Sequence, residues 1–274
     1  MTTVSKLIPS EDAEICAEAF GDPADPAVLL MMGQMASMLW WPEAFCGPLA
    51  DAGRYVIRFD NRDTGRSTAY EPGSPPYTGE TMAGDAIAVL DGFNIDRAHL
   101  VGQSMGGALA QLAAARYPER VATLTLISTS PIVGGHDGLP APDPGYLKQA
   151  SEAAKPDWSD RDSIAEYILA DARALSSVRH PFDEAGMREL LRRDLERARR
   201  PESLVNHTLL PHDDPGPLEI AAPLLVVHGD ADPLFPIAHG EAWNTELVRL
   251  EGGGHVLHEG DWDRVIAAIV RHTA

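Results

Sequence analysis

The chain has 274 residues, 44% apolar and 23% charged, which suits one large globular domain with a substantial buried core. Lys and Arg number 22 against 41 Asp and Glu, a net charge of −19; such a chain repels phosphate backbones and anionic bilayers, which argues against nucleic acid or membrane partners. Cys16 and Cys46 make no disulfide framework, no run approaches the ~20 apolar residues of a bilayer span, and residues 1–10 carry no signal-like apolar stretch, so a cytoplasmic protein is expected.

Glu14 to Ala19 alternates polar and apolar residues, as a half-buried edge strand does. Gly21 to Pro26 is a turn cluster, and Ala27 to Met32 is a continuous apolar run, the mark of a strand covered on both faces. Pro42 to Ala52 reads as a helix, Tyr55 to Phe59 as a buried strand, and Thr81 to Phe93 as a helix by its apolar spacing. A strand over Ala98 to Val101 and a small-residue helix over Met105 to Tyr117 follow. Strands are then expected at Val121 to Ile127, Leu224 to His228 and Glu246 to Leu250, with a closing helix at Trp262 to His272. Strands alternating with helices imply right-handed crossovers, hence an α/β fold with a mostly parallel central sheet and helices on both faces.

One segment breaks that rhythm. Residues 130–223 contain no buried-strand run; they open on turn residues (Gly134, Gly135, Gly138, Pro140, Pro142, Pro144) and continue with charged helical stretches such as Gly186 to Arg200. The reading is an α/β core of residues 1–129 and 224–274, interrupted by a helical cap over the sheet. The Arg-rich stretch from Arg188 to Arg200, interleaved with Glu and Asp, is read as a solvated helix face.

The strongest chemical signal is Gly102-Gln103-Ser104-Met105-Gly106, directly after a strand and before a helix. A strand–helix turn this sharp raises a serine hydroxyl above the carboxyl end of the sheet, and its flanking glycines avoid Cβ clashes. The following helix aims its N-terminal dipole at the same place, which favours developing negative charge. A dinucleotide fingerprint needs Gly-x-Gly-x-x-Gly, and position 104 is serine.

A serine nucleophile needs a base, and the base an orienting acid. In this strand–serine–helix arrangement they follow in the order acid, then histidine. His255 ends the glycine loop Glu251-Gly-Gly-Gly-His255, which can carry an imidazole back over the sheet, whereas His258 falls near the start of the last helix. His228 sits at a strand end, and His207, His212 and His239 show no metal spacing. In Asp230-Ala-Asp232-Pro233 the second carboxylate lies further along the loop and precedes proline, which favours extended backbone. Asp232 is therefore the expected acid and Asp230 a binder of loop amides. The preceding strand ends in Ser128-Thr129-Ser130 and offers no carboxylate.

Two amides should hold the oxyanion, those of Met105 and of Gln34, with Gly33 allowing close approach. Met32, Gly33, Met35 and Trp40 are the expected substrate-binding residues, with Met38, Leu39 and Trp41 further candidates for an apolar mouth. The run Arg58 to Ser67, with Asp60 and Asp63, is read as a loop whose ion pairs hold the floor of the site.

Nearly the whole chain resembles the α/β-hydrolase superfamily. The nearer likeness is to the aclacinomycin methylesterase group, through Phe20-Gly-Asp-Pro-Ala-Asp-Pro-Ala27, Met32-Gly33, Ile57-Arg-Phe-Asp-Asn-Arg-Asp-Thr-Gly-Arg-Ser-Thr68, and Ala88-Val-Leu-Asp-Gly92 leading to Ser104-Met105-Gly106. Gln103 departs from the usual residue before the serine. That resemblance implies hydrolysis of a methyl ester on a polycyclic acid without a cofactor. The chemistry of these residues calls for no metal, and the expected partner is a small-molecule ester, with the chain a monomer or homodimer. Other expectations stay open: a lactonase, peptidase, carbon–carbon bond hydrolase or perhydrolase, a ligand sensor without turnover, or a nucleotide-dependent oxidoreductase on a similar sheet. A triad alone does not determine which bond is cleaved.

Overall fold

A computed structural model of the chain describes residues 4–132, 138–211 and 218–274. Gly134, Gly135 and His212 lie outside the described residues.

Among the described residues eight strands form one sheet: β1 (Val4–Ser10), β2 (Ala13–Phe20), β3 (Ala27–Met31), β4 (Tyr55–Phe59), β5 (Ala98–Gln103), β6 (Val121–Ile127), β7 (Leu224–Gly229) and β8 (Glu246–Leu250), in the order β1-β2-β4-β3-β5-β6-β7-β8. β2 runs antiparallel to both β1 and β4, and the other pairs are parallel. The expected strand at Glu14 to Ala19 is present, but it is not the edge. β1 lies outside it, pairing Pro9 with Glu14. Pro9 hides that strand from a pattern reading, yet a residue without an amide hydrogen is tolerated on an edge.

Along β3 alternate residues face opposite layers. Leu29 and Met31 pack with Met82, Leu90 and Leu109 from α2 (Gly79–Gly92) and α3 (Met105–Arg116), while Val28 and Leu30 pack with Phe45, Leu49, Val265 and Ile269 from α1 (Glu43–Asp51) and α8 (Trp262–His272). Helix α2 starts two residues earlier than its apolar spacing suggests. Thr78 caps it and exchanges side-chain bonds with Thr81, which satisfies amides the first turn leaves free.

Between β6 and β7 the described residues form α4 (Pro144–Glu152), α5 (Arg161–Ala174), α6 (Glu184–Arg197) and a 3₁₀ stretch over Pro201–Thr208. Ile164, Ile168, Leu169, Leu191, Leu195 and Leu204 give these helices an apolar cluster of their own. Helix α6 divides its arginines by face. Arg188 pairs with Glu166 and Glu184, and Arg192 with Glu189 and Glu196, all exposed. Arg197 turns inward and meets the buried Asp60 at 2.8 Å. Among the described residues no helix is long and apolar enough to cross a membrane. A short helix, α7 (Ala238–Glu241), sits between β7 and β8.

Candidate active site

Strand β5 ends at Gln103 and α3 begins at Met105, so the chain reverses within one residue. That residue, Ser104, has φ 52° and ψ −122°, a conformation that strains any side chain bearing a Cβ. The turn is held from both sides: the Ser104 amide donates to the Ile127 carbonyl (3.0 Å), and the Ser104 carbonyl accepts from the Gly107 amide and the Thr129 hydroxyl (2.9 Å each). Only glycine fits beside it. A Cβ at Gly106 would lie 2.1 Å from the Met31 carbonyl oxygen, and one at Gly102 would lie 2.3 Å from that of Gly106.

The loop after β8 brings His255 to this serine. Nε2 of His255 is 2.9 Å from Ser104 Oγ, and Nδ1 is 2.9 Å from Oδ2 of Asp232. The other oxygen of Asp232 accepts the amides of Leu234 and Phe235 at 2.8 and 2.9 Å, so the carboxylate is oriented by its own loop. Burial alone would raise the Asp232 pKa; the bond from His255, the attraction of that ring and the Phe235 amide outweigh it and hold the carboxyl below its usual range. An ionised Asp232 accepts the Nδ1 proton of His255 and leaves the Nε2 lone pair facing the serine hydroxyl. Asp230 does not reach the imidazole: its Oδ1 accepts the Gly252 amide at 2.7 Å and pins the glycine loop to the end of β7. Gln103 is also accounted for, because its side-chain amide donates to the His255 carbonyl at 3.2 Å.

Among the described residues, other histidines have structural partners. Burial lowers the His228 pKa, and the neutral ring donates from Nε2 to the Phe235 carbonyl at 2.6 Å. His258 caps the turn before α8 by accepting the Gly260 amide, and it stacks on His180. His239 lies between the Ser130 hydroxyl and the Pro140 carbonyl.

Gly33 abuts the serine: a Cβ there would lie 3.2 Å from that of Ser104. Among the described residues the amides of Gln34 and Met105 have no internal acceptor. A cavity of about 130 Å³ opens over Ser104 and His255, bordered by Met32, Gly33, Gln34, Met35 and Trp40, and on the far side by Tyr146, Ile168, Asp171 and Leu175. A larger cavity of about 510 Å³, bordered by Leu39, shares Trp40 and Val256 with it. Met38 and Trp41, read from the sequence as candidates for the mouth, are instead fully buried; Trp41 packs its ring on Phe45 at 5.0 Å.

The family description "alpha/beta hydrolase fold" matches residues 26–261. The chain belongs to the α/β hydrolase fold family. Within it, the chain is 32% identical to the rhodomycin D methylesterase DnrP of Streptomyces peucetius over 98% of both chains. It is 28% identical to a 2-hydroxy-6-oxo-6-phenylhexa-2,4-dienoate hydrolase of Comamonas testosteroni, covering 87% of this chain and 83% of that one. Among solved structures it resembles the esterase RhEst1 from Rhodococcus sp. ECU1013, with a TM-score of 0.76 at 24% identity over 98% of both chains, a likeness of fold.

This α/β hydrolase holds its Gly33–Met35 loop by a residue the sequence reading passed over. His207, buried, accepts the Met35 amide at Nδ1 (3.0 Å) and donates from Nε2 to the Arg62 carbonyl (2.7 Å), while its own carbonyl accepts the Gln34 side-chain amide (2.8 Å). Burial lowers its pKa, which keeps the ring neutral and able to accept. The loop after β4, which starts at Asp60 rather than Arg58, joins the same frame: Asn61 donates to the Met32 carbonyl, Asp60 accepts the Met38 amide, and Asp63 accepts the Tyr77 hydroxyl and the Asn206 side chain. Arg62 is buried against Asp85 at 2.7 Å. What sets His207 apart is its bond to the Met35 amide, and spacing along the chain carries no such signal.

Proposed function

We propose that this protein is a serine hydrolase of carboxylic esters, with Ser104 as nucleophile, His255 as general base and acid, and Asp232 as the residue that orients and charges the imidazole. The observation that carries this reading is the continuous hydrogen-bonded line Ser104 Oγ–His255 Nε2, His255 Nδ1–Asp232 Oδ2, at 2.9 Å for each step. The full-length likeness to a methylesterase supports a methyl ester of an apolar ring acid as the substrate class.

In this mechanism the His255 Nε2 lone pair takes the Ser104 proton as Oγ bonds to the ester carbonyl carbon. Negative charge moves to the carbonyl oxygen, which the Gln34 and Met105 amides receive. Collapse breaks the bond to the alkoxy oxygen, and that oxygen takes the proton from His255. Water then attacks the acyl-enzyme with His255 again as base, releasing the acid and restoring the serine. Ionised Asp232 fixes the tautomer and stabilises the imidazolium at each stage. Apart from the attacking water, the groups invoked in these steps are side chains and amides of the chain. Met32, Met35 and Trp40 form the acyl pocket, and the described helices between β6 and β7 serve as the cap that closes it. The small cavity suits the reacting end of a substrate; the larger one beyond Trp40 and Val256 accommodates the remainder of a ring system.

The test is hydrolysis of p-nitrophenyl acetate and a set of aromatic methyl esters by wild type and Ser104→Ala. Loss of the nucleophile should reduce kcat by roughly 10⁶-fold. Hydrolysis indifferent to Ser104, or turnover of no ester, would overturn the reading.

A further inference from the structure

The cavity in front of Ser104 is mainly apolar, walled by Met32, Met35, Trp40, Ile168 and Leu175. One carboxylate interrupts that wall. Asp171, on α5, borders the cavity and takes no part in the reaction described above. Its Oδ1 accepts the Tyr146 hydroxyl, from α4, at 3.2 Å; among the described residues its other oxygen has no hydrogen-bond or ion-pair partner. Asp171 is half-buried and lines the cavity, so a group bound in the cavity can supply a partner.

A carboxylate facing an apolar cavity with half of its bonding capacity unused loses solvation when a substrate fills that cavity, unless the substrate returns a hydrogen bond. Burial raises the Asp171 pKa, while the Tyr146 bond and the nearby His255 ring pull it back. The hydroxyl of Tyr146 is committed to Asp171, and burial pushes its own pKa up, so the pair presents acceptor capacity rather than an acid to the cavity.

We propose that Asp171, held by Tyr146, is a specificity-determining group that accepts a hydrogen bond from a hydroxyl or amino group on the acid portion of the ester. This rests on the esterase reading and narrows it: the preferred substrate is an apolar ring ester carrying a donor. A second carboxylate on the substrate is disfavoured, because it would meet Asp171 as a like charge. Asp171 and Tyr146 could instead merely tie α4 to α5. That role would make substitutions act alike on every substrate.

The experiment compares aromatic methyl esters differing only in one substituent, hydroxyl, methoxy or aminomethyl, moved to successive ring positions. Wild type should favour the best-placed hydroxyl ester over its methoxy twin by roughly 10- to 100-fold in kcat/KM, the range for a hydrogen bond to a charged acceptor, and the gain should sit in KM. The aminomethyl ester should gain at least as much. Asp171→Asn keeps the size of the side chain and a carbonyl for Tyr146; it should collapse the hydroxyl-to-methoxy ratio to within about 3-fold and remove the aminomethyl advantage. As pH falls and Asp171 takes up its proton, KM for the donor-bearing esters should rise towards that of the methoxy esters. Binding of the same esters to Ser104→Ala, followed by tryptophan fluorescence, reads the preference without turnover. If wild type hydrolyses no ester yet Ser104→Ala still binds the hydroxyl ester more tightly, the esterase reading fails and the donor site stands. If esters are hydrolysed but no ring position discriminates, or Asp171→Asn lowers all of them equally, the donor site is overturned and the esterase reading remains.

Discussion

The two walls of the cavity over Ser104 are built in different ways. On the sheet side, Ser104, Asp232 and His255 sit on the loops after β5, β7 and β8, and groups of those loops and of the adjoining end of β6 hold them. Asp232 is fixed by amides two and three residues on, and Asp230 clamps Gly252. On the side of the inserted helices the bonds span long distances in sequence: 154 residues from Trp40 to Asp194, 137 from Asp60 to Arg197 and 143 from Asp63 to Asn206. One wall is set by local backbone geometry at strand ends, the other by polar side chains meeting across the fold. Substitutions in the first should therefore change chemistry with little loss of stability. Those in the second should change stability and binding first.

The largest effect should come from Asp232→Asn. An amide there cannot hold the Nδ1–H tautomer as an anion does, and kcat should fall by about 10⁴-fold with little change in melting temperature. The companion Asp230→Asn should do the reverse, loosening the Gly252 amide and leaving kcat within a few-fold, because Asp230 makes no bond to His255. Steady-state kinetics and thermal melts on both variants break the comparison if Asp230→Asn is the one that removes activity.

The same contrast explains what the sequence could reveal. The serine turn, the glycine loop before His255 and the carboxylate before Pro233 were readable because each is a short motif whose local backbone geometry sets where its side chain lies. The buried strands were readable because β3 and β4 are buried on both faces and, Arg58 apart, apolar or aromatic. Strand β1 was not, since exposed residues and Pro9 erase its alternation and only its pairing with β2 defines it. His207, Asp194 and Asp171 were silent for the same physical reason: each acts through a partner more than 20 residues away in the chain. Met38 and Trp41 show the converse error, where apolar residues next to a pocket-lining loop point into the core.

Next in size is His207→Ala. Removal of this ring leaves the Met35 amide and the Arg62 carbonyl without partners and opens a cavity, so stability should fall by roughly 2–4 kcal/mol. The Gly33–Gln34 loop loses a support at the same time, so kcat should fall more than KM rises. His207→Gln, which can restore one of the two bonds, should recover part of both. Denaturant melts and kinetics on the pair check this; a variant that loses activity with unchanged stability would show that the second wall takes part in the chemistry as directly as the first.

The smallest effect, with a pH signature in stability, lies at Asp194. This carboxyl from α6 accepts the indole Nε1–H of Trp40 at 3.0 Å. Burial is the largest influence on it and Asp60 adds repulsion; the bonds from Ser37 and Trp40 only partly offset them, so its pKa is pushed up to about 6. A folded-state pKa above the unfolded value of about 4 means that Asp194 contributes stability fully below pH ~4, and that this contribution is lost as pH rises through ~6. The difference sets a ceiling of ~3 kcal/mol. Asp194→Asn cannot ionise and keeps an acceptor for Trp40, although it forfeits the stronger charge-assisted bond, so a gain of about 1–2 kcal/mol is expected at pH 7.5 and none at pH 4. Denaturant titrations of wild type and variant at the two pH values read the crossover directly. A variant equally destabilised at both would mean that Arg197, which already pairs with Asp60, also compensates the Asp194 charge, and that this wall is held by a charge network rather than by a strained carboxyl.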